Sequence, residues 1–156
     1  MLFSRTTRYQ SALDIKEIKQ RLLGQHLKVH NLDFEVYEKD HMIKIIPHAE
    51  QIENIKTLPI THVEFNGRGG STQVVISSKM RKIDKGGPML IVSFCAFLLI
   101  IALAFMGLGL AEYQYYAFVM LGISLGIFIL FWIRMESGYF DYVRKIRDYI
   151  KKQSLA

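Results

Sequence analysis

The chain has 156 residues, 51% of them hydrophobic, and carries 20 Lys and Arg against 14 Asp and Glu for a formal net charge of +6. Its one cysteine, Cys95, excludes an intramolecular disulfide and a cysteine-based zinc site. The positive excess clusters beside two long apolar stretches rather than across a folded face, which favours membrane lipid over nucleic acid as the partner of that charge.

The first ten residues, MLFSRTTRYQ, turn polar after three, so no secretory signal is expected and the first apolar stretch should direct targeting. Ser11 followed by Asp14 resembles a capping box, and Leu13, Ile15, Ile18, Leu22 and Leu23 recur at helical spacing up to Gly24, which suits the position just past a helix end. Leu27, Val29, Phe34 and Val36 then alternate with polar residues. Across the polar turn Glu38-Lys39-Asp40, the run His41 to Ile46 completes a hairpin that Pro47 ends. A short helix is expected over 49–56. The runs Thr61–Phe65 and Thr72–Ile76 read as a second hairpin around the glycine-rich Asn66–Ser71. Together these predict a small α+β domain over residues 1–80, with about four antiparallel strands and the first helix across one face. A basic linker, 81–87, should follow.

Two uncharged stretches, Gly86–Ala111 and Tyr113–Ile133, are separated by Glu112 alone. Each is long enough to cross a hydrocarbon core of about 30 Å as a helix of roughly 20 residues. The expected spans are 88–110 and 117–133, joined by an external turn at 111–116. Lys79, Arg81, Lys82 and Lys85 precede the first span, and Arg134, Arg144 and Lys145 follow the second, while the turn carries no Lys or Arg. The positive-inside tendency therefore places both termini in the cytoplasm of an inner or plasma membrane. Tyr113, Tyr115 and Tyr116 suit the far interface and Trp132 the near one.

Within the second span, Gly122, Ser124 and Gly126 form a small-residue motif. Glycines four apart let another helix approach closely and a serine adds a hydrogen bond. That helix is either the first span, with Ala102, Ala104 and Gly107 aiding the fit, or a helix of another chain. After the spans, 134–156 reads as a basic amphipathic helix: Tyr139, Tyr142, Val143, Ile146, Tyr149 and Ile150 share a stripe, which can lie among lipid headgroups or pack on the domain.

The chemistry-bearing residues are sparse. Gly67-Arg68-Gly69-Gly70-Ser71 could cradle an anion with Arg68 as the contact, but no Lys-Ser or Lys-Thr pair opening a helix follows, and a hairpin turn accounts for the glycines. His26, His30, His41, His48 and His62 show no metal-ligand spacing, although His26 and His30 would share one face of an extended strand. The spans hold no ionisable group of the kind that proton relays and ion pathways use. No cofactor, metal or catalytic residue is expected. The composition points to a non-enzymatic membrane protein that holds a small cytoplasmic interaction domain, an adaptor or accessory subunit acting as a homo-oligomer or with another membrane protein. Two alternatives are a pore or transport accessory subunit built from oligomerised hairpins, and a protein that binds anionic lipid.

Overall fold

The structure, a computed structural model, describes residues 3–30, 32–48, 57–68, 71–109 and 111–155. Its elements are β1 (Ser4–Ser11), α1 (Ile15–Leu22), β2 (His26–Val29), β3 (Leu32–Lys39), β4 (Met42–Pro47), β5 (Pro59–Arg68), β6 (Ser71–Met80), a 3-10 turn (Lys82–Asp84), α2 (Gly86–Gly107), α3 (Ala111–Ser137) and α4 (Tyr139–Leu155). They divide into two units, one of residues 1–81 with 138–156 and one of residues 82–137.

The first unit is α+β. Its strands form one antiparallel sheet in the order β1-β6-β5-β4-β3-β2. Period-two alternation decides its faces. Leu27 and Val29, then Leu32, Phe34 and Val36, then Ile43 and Ile45, then Val63, Val74 and Ile76 point to one side, where Ile18 and Leu22 of α1 and Tyr142, Ile146 and Ile150 of α4 complete the core. Polar residues on that same side are hydrogen-bonded rather than left bare. Thr61 and Ser78 pair at 2.7 Å, and Thr72 donates to the carbonyl of Leu13 at 2.8 Å.

Six strands replace the expected four. One addition is β1, which pairs residue by residue with β6 from Ser4↔Lys79 to Ser11↔Thr72. Main-chain pairing holds it, so it shows no hydrophobic alternation by which a sequence pattern could find it. The other arises because His30 adopts a left-handed backbone, φ 55°, and folds the single expected strand over 27–38 into the hairpin β2–β3. Asp40 and His41, φ 54° and 61°, make the next turn, as the Glu38–Asp40 segment suggests. The β5–β6 strands extend to Arg68 and from Ser71, so the expected 66–71 loop is much shorter. The helix expected over 49–56 lies outside the described residues.

Asp14, not Ser11, caps α1: its Oδ1 accepts from the N–H of Ile15 at 2.8 Å. Ser11 is buried and instead accepts from the N–H of Leu13 while donating to the carbonyl of Ser154. Gly24, φ 71°, follows the helix as expected.

The sheet is curled. Six strands spaced about 4.8 Å apart put the edge strands some 24 Å from each other when flat, yet both reach the first turn of α4. The hydroxyl of Tyr139 donates to the carbonyl of Phe3 at 2.7 Å and Arg5 of β1 lies 4.7 Å over the ring of Phe140, while Asp141 and Tyr142 meet His30 beyond β2. A helix is only about 10–12 Å across with its side chains. The sheet therefore wraps toward α4, which closes the open side between its edges.

Candidate functional site

The second unit consists of the 3-10 turn, α2 and α3. Both helices are long and apolar enough to cross a membrane, and only 11% of the most apolar stretch of each is buried. Leu90, Phe97, Ile100, Phe118, Ile129 and Leu130 are all exposed. Away from the side on which the two helices meet, these apolar side chains point outward.

The helices pack antiparallel. Ser124 Oγ donates to the carbonyl of Cys95 at 2.9 Å, and Phe105 stacks on Tyr113 at 5.6 Å, ten residues further along α2 and eleven back along α3. Cys95, Ala102, Ala117 and Ser124 are buried in this seam. The expected motif is thereby split. Ser124 faces α2, whereas a Cβ placed on Gly122 or Gly126 would meet no atom within 4 Å. Ala104 and Gly107 are likewise exposed, so of Ala102, Ala104 and Gly107, expected to aid the fit, Ala102 alone is buried in the seam. On a helix, residues two apart point to different sides, which is why one serine and two glycines in sequence cannot share a partner.

The same register puts Lys85, ten residues before Cys95, level with Arg134, ten after Ser124, and Lys82 joins them in the 3-10 turn. Trp132 stacks on Phe128 near this end at 6.1 Å. Tyr113, Tyr115 and Tyr116 lie exposed at the opposite end. They belong to α3, which starts at Ala111, so the expected 111–116 turn contracts to the residues before it, of which Leu108 and Gly109 are described. The expected 81–87 linker is also mostly structured, since Lys82–Asp84 form the 3-10 turn and Gly86 and Gly87 open α2, while Lys79, expected at the membrane interface, is in β6. Pro88 sits in the first turn of that helix, where its missing N–H costs little. Arg68 closes β5; its side chain lies outside the described part of the structure.

The tail does not lie free for lipid. In α4, Tyr139, Tyr142, Val143, Ile146 and Ile150 are buried against the domain. Each such side chain is worth about 1.5–3 kcal/mol when removed from water, so detaching α4 is costly. Its ends are tied to β1, since Ser154 Oγ bonds Tyr9 at 2.7 Å as well as receiving Ser11 at its carbonyl. Burial pushes the Tyr9, Tyr142 and Tyr149 hydroxyls above the ordinary tyrosine range and that of Tyr139 up to about 12, Arg5 opposing the latter shift.

On the flank of α4, Asp141 gathers three partners: His30 at 2.8 Å, Lys145 at 3.2 Å and Arg144 at 3.9 Å. The hydrogen bond from His30, reinforced by Lys145, holds the Asp141 carboxyl below its usual range. Arg144 and Lys145, expected at the membrane interface, are thus engaged within the domain. His26 instead pairs with Asp33 at 3.1 Å, so the positive φ of His30 separates the two histidines expected on one face. Among the described residues no group of three or more His, Cys, Asp or Glu is placed to hold a metal ion. The closure of α4 on Phe3, Tyr9 and Ser11 had no sequence signal, because it is made by single hydroxyl and carbonyl groups more than 130 residues apart.

Comparison with known proteins gives no match to any family model, curated protein or solved structure.

Proposed function

We propose that the chain is a two-span membrane protein with both termini in the cytoplasm, a non-enzymatic adaptor or accessory subunit whose hairpin holds the α+β domain at the membrane for interaction with another protein. The observation that carries this reading is the contrast between the two units. The domain buries its apolar residues in a closed core, whereas the hairpin exposes its apolar side chains along both helices. Lys82, Lys85 and Arg134 at one end of the hairpin and three tyrosines at the other give it the charge asymmetry of a span with that basic end inside.

The open faces of Gly122 and Gly126 support association of α3 with a helix from a second chain, because the seam within the hairpin uses Ser124 instead. The test is the mass and composition of the complex after gentle detergent extraction. A defined assembly with another membrane protein, or with further copies of this chain, supports the reading. Extraction into aqueous buffer without detergent overturns the membrane assignment, and a closed ring with ion flux in liposomes replaces the adaptor with a pore.

A further inference from the structure

The helices of the domain pack on one face of the sheet, and the opposite face has its own character. There Lys44 of β4 is paired with His62 of β5, His62 with Ser77 of β6, and Lys79 lies two residues beyond Ser77 on the same side. Lys79 is opposite Ile60 and therefore diagonal to His62, a spacing of about 7–8 Å between backbones. Lys44 and Lys79 have no carboxylate partner among the described residues, in contrast to Lys19, Arg21, Lys145 and Arg147, which are ion-paired elsewhere on the domain. Ile46, Ile60 and Val75 lie half-buried on the same face, which also carries the exposed carboxylates Glu35, opposite Ile46, and Glu64, opposite Val75.

We propose that this face of the sheet, centred on Lys44, His62 and Lys79, rests on the anionic phospholipid headgroups of the leaflet that holds the hairpin. Cations interleaved with short apolar side chains fit the boundary between headgroup and acyl chain, where each Lys contributes about 1 kcal/mol against an anionic leaflet. Location along the chain selects lipid over an acidic protein. Lys79 is seven residues before Gly86, where α2 begins, and seven residues span at most about 25 Å. The patch is therefore held at high effective concentration beside the bilayer. Burial lowers the His62 pKa first, then Lys44 and Lys79 lower it further, against smaller opposing effects of Glu64 and of a hydrogen bond with the Ser77 main chain. An anion bound between the two lysines reverses that electrostatic part.

This inference rests on the two-span reading, and the test separates the two. The full chain is placed in nanodiscs of phosphatidylcholine alone, or of phosphatidylcholine with an equimolar share of phosphatidylglycerol, and its histidines are titrated by NMR. A surface potential of about −30 mV raises the pKa of a group at the surface by about half a unit, and screening within about 8 Å confines the effect to groups that touch it. The expected result is that His62 moves up by at least that amount on going to the anionic discs while His30, which faces α4, moves less. Lys44→Gln with Lys79→Gln should abolish contact between the sheet face and photoreactive anionic lipid; Lys16→Gln with Lys152→Gln, which removes the same charge elsewhere on the domain, should leave it. Stable insertion with no differential movement of His62, or equal loss in both double variants, overturns the lipid-facing assignment alone. Failure to insert at all overturns the membrane reading instead.

Discussion

The hydroxyl of Tyr139 donates a 2.7 Å hydrogen bond to the main-chain carbonyl of Phe3, in a buried position where the two residues are 136 apart in sequence. Through this bond the residue that opens α4 fastens the start of the first strand, and Gly138 alone stands between that residue and the end of the second apolar helix. The helix that closes the domain is thus the direct continuation of the hairpin chain.

Tyr139→Phe keeps the ring and leaves the Phe3 carbonyl without its donor, at a cost of about 1–3 kcal/mol. The expected result is a lower Tm in detergent, read by circular dichroism. Because burial raises the Tyr139 pKa to about 12 from an ordinary 10.0, the folded state holds this proton more tightly than the unfolded one. Its contribution is full below pH 10 and is lost as pH rises toward 12. The variant should therefore show a shallower loss of stability between those values; an unchanged alkaline slope would contradict the assignment.

Ser124 and Gly126 should separate by readout. Ser124→Ala removes the bond to the Cys95 carbonyl, worth about 0.6 kcal/mol for interhelical hydrogen bonds in membranes, and should lower the efficiency of a crosslink placed between α2 and α3. Gly126→Leu adds a side chain where a Cβ has no neighbour within 4 Å. It should leave that crosslink intact and reduce the mass of the assembly. The opposite pattern would return the glycines to the seam inside the hairpin.

Ser11→Ala should cost more than Asp14→Ala. Ser11 is buried with two main-chain partners, so its loss strands groups that water does not reach, about 1–3 kcal/mol. Asp14 is an exposed cap with one bond to Ile15, and capping losses run at about 1 kcal/mol. Urea denaturation of both variants checks the order.

Asp141→Asn should flatten the acid limb of the stability curve. The carboxyl lies below its ordinary value of 3.8 through the His30 hydrogen bond and then Lys145, so the unfolded chain binds this proton first as pH falls. The contribution of Asp141 is present above about pH 4 and disappears through lower pH. Its solvent exposure keeps the effect small. Equal acid slopes for wild type and variant would show that the contact with His30 adds nothing in solution.

The two apolar helices, the charge asymmetry around them, the first helix and both turn-forming hairpins were legible in the sequence, because each depends on local composition or on a period of two or 3.6 residues. Alternation at Phe34 and Val36 or at Val74 and Ile76 also marked the core face. The edge strand β1 was not legible, since backbone pairing with β6 carries no hydropathy signal. Nor was the turn at His30, where one left-handed residue reverses a strand whose alternation continues on both sides. The amphipathic stripe of α4 read equally well as a lipid-facing or a core-facing surface; only the curled sheet, which brings β1 and the end of β2 to the same helical turn, decided for the core. Gly122, Ser124 and Gly126 formed one motif in the sequence, and tertiary packing divided it by direction. A sequence period states which residues share a face, while what that face meets depends on chain segments more than a hundred residues away.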